Sequence, residues 1–335
     1  MTGTILTLLG TMVLVFIAAL IFTNAIEWIA SQLKLGCSFV GSIVAPLFTS
    51  IPEMVIFLVA IFAFADGAGK DIGVGTIYGQ PFMASSLSYG LVGIAILLGL
   101  LFKKRDSGHM HVDKSLATPF LFVTILFPLT LVPAFSDSLI VKYVFAFIFL
   151  GAFIYYIWTM YKRKNAEQID DAATPYFCRV LPEASKGRMA LAILQLLVAI
   201  GLLYIGSEKM VGTVETLSAG IGLSALALAL VVVPAATAIP ETSTALIWGF
   251  KGKDTLSLGS LVGEKVLYST FYPALALFLI SWSFDIHILM SVVATTIISL
   301  ILYLCIRFNK LNWYTLCFGL VFFVAYIIVI FVLKI

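Results

Sequence analysis

Two stretches of this chain carry the same pattern of residues able to do chemistry. They are Pro46-Leu-Phe-Thr49-Ser50-Ile-Pro52-Glu53 and Pro234-Ala-Ala-Thr237-Ala238-Ile-Pro240-Glu241. Both glutamates lie deep inside long apolar runs. A charged side chain at bilayer depth costs at least ~2.5–3.5 kcal/mol, so such a residue ordinarily faces a polar cavity or an ion path. Proline has no N–H to donate, so Pro52 and Pro240 leave the carbonyls of Phe48 and Ala236 without their helical partners. The hydroxyls of Thr49, Ser50 and Thr237 stand beside them. Two carboxylates, free carbonyls and hydroxyls make an all-oxygen donor set, which suits a hard cation; Ca²⁺ takes about 6–8 oxygens. Two carboxylates also balance two positive charges. A protonated carboxyl hydrogen-bonded to a neighbouring helix, and prolines that only kink helices for packing, are the plainer accounts. The recurrence of the whole pattern argues against them.

The correspondence continues downstream. Gly69-Lys70-Asp71 matches Gly252-Lys253-Asp254, and Gly75-Thr76-Ile77-Tyr78-Gly79-Gln80 matches Gly259-Ser260-Leu261-Val262-Gly263-Glu264. The glycines are spaced as close helix contacts require. Gln80 and Glu264 are equivalent polar positions and join the candidate metal-binding residues Glu53, Glu241, Thr49, Ser50 and Thr237. Lys265 is expected to pair with a carboxylate or to reach an interface, because a buried unpaired ammonium is costly. His109 and His111 read as residues of a solvated loop.

These residues need helices that cross a membrane. Of 335 residues, 61% are hydrophobic and 11% charged, against about 25% charged in soluble domains. This excludes a soluble enzyme, and the net charge of +3 gives no reason to expect nucleic acid. Ten apolar segments are expected near 4–24, 38–64, 72–101, 116–134, 138–160, 189–207, 219–250, 256–281, 286–306 and 312–333. The first holds no Lys or Arg and reads as a span rather than a secretory signal. Alternate loops then collect fifteen Lys and Arg on one side and four on the other, which puts both termini outside and the middle loop in the cytoplasm. Four widely spaced cysteines read as buried thiols. The fold class is an all-α polytopic membrane protein of ten transmembrane helices. They form two five-helix repeats, 1–160 and 189–335, joined by a linker at 161–188. Equivalent segments are five spans apart, an odd number, so the repeats are inverted, as in many secondary transporters.

On these motifs the chain resembles the calcium/cation antiporter superfamily, which includes the sodium/calcium exchangers. PLFTSIPE and AATAIPE look like the first element of its repeat, GTIYGQPF and GSLVGEKV like the second. The resemblance implies exchange of Ca²⁺, or a similar divalent cation, for Na⁺ or H⁺ by alternating access. Glu53 and Glu241 would be the central ligands. The chain departs from the family at Ala84 and Tyr268, where that pattern has a further ligand, and at Lys265, where it has Asn. A proton needs fewer oxygens than sodium, which favours H⁺ as counter-ion. No cofactor is expected beyond the transported cations, and the partners are the lipid bilayer and inorganic cations. No nucleophile–base pair or HExxH marks an enzyme. A non-transporting scaffold or ion sensor on the same fold, and an exchanger of another cation, stay open as alternatives.

Overall fold

The computed structural model describes residues 2–32, 45–65, 67–136, 138–161, 173–180 and 187–333, and among them there are helices and no strands. The first half comprises α1 (Thr2–Gln32), α2 (Ala45–Thr49), α3 (Ile51–Ala63), α4 (Gly69–Met83), α5 (Tyr89–Leu101), α6 (Ala117–Leu129) and α7 (Leu139–Tyr161). The second comprises α8 (Arg188–Ile221), α9 (Ala225–Thr237), α10 (Ile239–Phe250), α11 (Asp254–Ser269), α12 (Phe271–Leu279), α13 (Ile286–Arg307), α14 (Trp313–Cys317) and α15 (Gly319–Ile328). A π-helical turn, Ala84–Ser88, joins α4 to α5 in one rod.

Seven of the described helical stretches are long and apolar enough to cross a membrane, eight if the bent α9–α10 pair is one span. The expected segment 38–64 begins outside the described residues, as do Lys34 and Cys37, and its described part is the short pair α2 and α3. The expected segment 256–281 breaks at Thr270 into α11 and α12, where φ −137° and ψ −80° leave the helical region. The α8 helix runs past the expected end at residue 207 to Ile221. It stops at Gly222, whose φ of +68° glycine adopts without a Cβ penalty.

The broken helices have a local cause. In each, the two prolines remove two N–H donors six residues apart, and the chain re-enters a helix one residue after the break. The bridging bonds match: Ser50 N–H donates to the Pro46 carbonyl (3.1 Å) and Met54 N–H to that of Ser50 (3.2 Å). Ala238 N–H likewise donates to Pro234 (2.8 Å) and Thr242 N–H to Ala238 (3.0 Å). The axis turns by 63° between α9 and α10.

Helices α4 and α9 pack face to face. A Cβ on Gly75 would stand 2.7 Å from the Leu226 carbonyl, and one on Gly79 2.5 Å from that of Leu230. These two glycines therefore set the interhelical distance. Gly263 does the same against Pro46, at 2.9 Å, whereas Gly259 meets only Leu116 methyls at 3.8 Å. Gly79→Ala should cost about 1–3 kcal/mol through overpacking. Gly201→Ala, in open space, should leave the melting temperature in detergent nearly unchanged. Equal melting of the two variants would contradict this account.

The connections gather at two ends. At one end the loop after α5 meets the α10–α11 turn and the α13–α14 loop. Arg105 grips Asp254 through both guanidinium nitrogens, at 3.0 and 3.2 Å, and donates to the carbonyls of Gly249, Ser107 and His109. His109 binds the Asn309 carbonyl through Nε2 at 2.9 Å, and the His111 N–H donates to Asp254 at 2.9 Å. His111 is exposed, as expected of a loop residue, and joins the node only through its backbone N–H, whereas the half-buried His109 joins it through its ring. At the other end Lys70, Pro133, Ser136, Ser138, Lys142 and Trp282 line a cavity of about 130 Å³. Lys70, Asp71, Ser224 and Asp285 line its neighbour of about 70 Å³. Among the described residues the cysteines Cys178, Cys305 and Cys317 are free thiols.

Candidate ion-binding site

Each break presents its glutamate on the first turn of the following half-helix, Glu53 on α3 and Glu241 on α10. The C-terminal end of the preceding half-helix, where carbonyls are left without intrahelical donors, points toward the same region. Glu53 is 2% exposed, and its Oε2 has no hydrogen-bond partner; Glu241 Oε2 is likewise buried and unpartnered. The Thr237 hydroxyl lies within hydrogen-bonding reach of Glu53 and 3.2 Å from the Val233 carbonyl. Thus a side chain beside one break engages the glutamate of the other.

A third carboxylate joins them from α11. Glu264 is buried and within electrostatic reach of both Glu53 and Glu241. Its Oε1 accepts from the Thr49 hydroxyl at 2.8 Å and its Oε2 from Gln80 Nε2 at 3.2 Å. Gln80 Oε1 remains buried without a partner. The arrangement follows from the glycines: the close approach of α4 to α9 and of α11 to α2 brings Gln80 and Glu264 up against the breaks.

The structure therefore gathers Glu53, Glu241, Glu264, Gln80, Thr49 and Thr237 around one locus. Ser50 has a different job. Its Oγ donates to the Pro46 carbonyl at 2.8 Å and lies 2.7 Å from Tyr272 Oη, which also lies 2.8 Å from the Ser50 carbonyl. Its hydroxyl holds the break together and is not free for an ion.

Two tyrosines contribute that sequence reading did not assign to the site. Tyr268 and Tyr272 stack with ring centroids 4.4 Å apart. Tyr272 clamps the α2–α3 break. Tyr268 places a buried, unpartnered hydroxyl within electrostatic reach of all three glutamates. In sequence Tyr268 stands out only as a departure from the family pattern, and nothing distinguishes Tyr272 from a core aromatic. The Ser88–Thr242 hydroxyl pair, 2.8 Å apart, further ties α10 to the π-helical turn.

Among the described residues no three His, Cys, Asp or Glu side chains converge closely enough to chelate a metal together. The carboxylates repel one another, and Glu53, Glu241, Gln80 and Tyr268 each leave a buried oxygen without a hydrogen-bond partner. Buried oxygens without donors are costly, and a hard cation would satisfy them.

Lys265 corrects the expectation from sequence. It is fully buried, yet the one salt bridge among the described residues is that of Arg105 with Asp254. Its Nζ instead donates to Ser299 Oγ at 2.8 Å and lies over the rings of Tyr89 and Phe120, 5.2 and 5.5 Å from their centroids. Successive helical residues point to different faces, so Glu264 reaches the acidic locus while Lys265 reaches α13.

Comparison with known proteins agrees with this geometry. The sequence pattern of the family described as sodium/calcium exchanger protein matches residues 3–162 and 191–334. A putative antiporter, CaxA of Alkalimonas amylolytica, is 25% identical over 270 residues, covering 79% of this chain and 77% of CaxA. The solved H⁺/Ca²⁺ exchanger CAX has a similar fold, with a TM-score of 0.75 at 18% identity over 97% of this chain and 82% of CAX. The sodium–calcium exchanger NCX_Mj is also similar, with a TM-score of 0.57 at 19% identity over 98% of this chain and 97% of its own. An all-helical, multi-pass membrane protein with buried carboxylates on broken helices, matched by this family over both halves, is a member of the sodium/calcium exchanger family of antiporters.

Proposed function

We propose that the chain exchanges Ca²⁺, or a similar divalent cation, for H⁺ by alternating access. The observation that carries this reading is the pair of buried, unpartnered Oε2 atoms of Glu53 and Glu241 at the two helix breaks, within electrostatic reach of Glu264 on α11. Hard divalent cations take carboxylate and carbonyl oxygens, and removing the cation leaves carboxylates that must be neutralised in a low-dielectric site. Protons do this with no further ligands. Sodium needs several more oxygens, and Ala84 supplies none by its side chain while Ser50 Oγ is committed to Pro46 and Tyr272. The similarity to a solved H⁺/Ca²⁺ exchanger is in keeping with this choice.

In this reading ten membrane-crossing segments form two inverted repeats, 1–160 and 189–335, around the linker 161–188, with both termini outside. The matched helix breaks and the two family-matched stretches support it. The bound cation is cargo, no resident cofactor takes part, and the lipid bilayer is the medium.

The equivalent aspartates differ in their surroundings. Asp254 is clamped by Arg105 and buried, whereas Asp71, at the far end of the α4–α5 rod, is exposed and lines a cavity. The deciding experiment uses purified protein in liposomes, with Ca²⁺ uptake driven by a proton gradient or a sodium gradient, each imposed alone. Uptake driven by the proton gradient is expected. Uptake driven by sodium with pH clamped on both sides would overturn the choice of proton, and no uptake under either gradient would favour the scaffold or sensor reading.

A further inference from the structure

Lys265 occupies a chamber of its own. Its walls are the ring faces of Tyr89 on α5 and Phe120 on α6, and the Ser299 hydroxyl on α13. Ser291, Thr295 and Ser299 recur every fourth residue, so they share one face of α13, and all three are fully buried. The Thr295 hydroxyl and the Tyr89 hydroxyl are buried without hydrogen-bond partners. Ring faces attract cations, and hydroxyl oxygens ligate them. Two ring faces and an engaged hydroxyl around one buried nitrogen, on a helix face that carries a further unpartnered hydroxyl, make a cation site, and its occupant is the ammonium of this chain.

We infer that Lys265 is a tethered cation that fills a second, monovalent-cation site beside the carboxylates and thereby keeps mobile monovalent cations out of the exchange. The inference rests on the proposed exchange activity for its consequence but not for its geometry. A buried ammonium lacking a carboxylate partner is costly to retain, and among the described residues no carboxylate contact compensates this one. A mobile cation in the chamber would load and leave with the cargo. A tethered one cannot leave, so the cations exchanged are those held by Glu53, Glu241 and Glu264 alone. Lys265 is then a specificity-determining residue one position from a cargo ligand, on a different helix face.

Lys265→Ala empties the chamber to the size of a small ammonium ion, and methylammonium is the probe. The melting temperature of purified Lys265→Ala should rise saturably with methylammonium chloride, by about 2 °C or more over choline chloride at equal ionic strength. Wild type and Lys265→Met, whose chamber stays filled, should show no such rise. Absence of the rise in folded Lys265→Ala, or an equal rise in wild type, overturns the inference. Should Lys265→Ala fail to fold, Lys265→Ser supplies the second measurement. It empties the chamber while leaving a hydroxyl in it, so K⁺ should inhibit its Ca²⁺ uptake at concentrations about tenfold lower than for wild type, while Lys265→Met stays at the wild-type value. Unchanged K⁺ sensitivity in Lys265→Ser would reject the role. Lack of Ca²⁺ uptake by wild type would fault the exchange reading instead and leave the methylammonium result standing.

Discussion

Glu53→Gln and Glu241→Gln should each reduce Ca²⁺ flux by about 1000-fold, measured as isotope uptake per milligram of purified protein in liposomes. The estimate follows from charge: a carboxylate about 4 Å from a unit of positive charge contributes ~4 kcal/mol at an effective dielectric of about 20, and about 1.4 kcal/mol is tenfold in affinity. Both glutamates have a buried Oε2 with no hydrogen bond to lose, so the amide should be tolerated without loss of yield. Glutamine is also the cheaper residue to bury, since it carries no charge. Glu264 differs. Its two oxygens already accept from Thr49 and Gln80, so Glu264→Gln breaks part of that network as well as removing charge. Wild-type flux in either Glu53→Gln or Glu241→Gln would end the shared-carboxylate reading, whatever became of Glu264.

Arg105→Ala should lower stability by about 3–5 kcal/mol, because removing one partner of a buried ion pair leaves the other uncompensated. Asp254 would lose both bonds of the fork and keep only the His111 N–H. The conservative variant Arg105→Lys should recover less than half of the loss. A lysine cannot make the bidentate contact while also reaching the carbonyls of Gly249, Ser107 and His109, which the guanidinium does. The same node packs over the α10–α11 turn, so Arg105→Ala should also speed alkylation of a cysteine placed at buried Ser257, next to that turn. Melting in detergent and the alkylation rate test the two halves of this expectation separately. Arg105→Ala that melts like wild type would show the node to be incidental, and unchanged labelling would show that it does not cover the turn.

Much of this molecule is legible along the chain because its determinants are local. Residue composition and the length of apolar runs depend only on neighbouring residues, and so does the loss of N–H donors at Pro52 and Pro240 that breaks both helices. The duplicated motif pointed to Glu53 and Glu241, and the glycine spacing anticipated the approach of α4 to α9 through Gly75 and Gly79. Glu264 and Gln80 were reachable for the same reason: they hold equivalent places in a repeat.

What tertiary structure alone decided were the partners of groups that could have gone more than one way. Ser50 sits beside Thr49 in sequence, yet Thr49 turns to Glu264 and Ser50 to Tyr272, a residue from the other half of the chain. Lys265 follows Glu264 in sequence and was expected to find a carboxylate or an interface; α13 and two aromatic rings took it instead. Asp71 and Asp254 hold equivalent places in the repeat, but among the described residues only Asp254 meets an arginine, because the loop after α5 carries Arg105 to its end of the molecule. A local motif specifies where the backbone breaks and which groups are offered. Which of those groups meet depends on helices distant in sequence, since contact energies in the low-dielectric interior are settled by a few ångströms of approach.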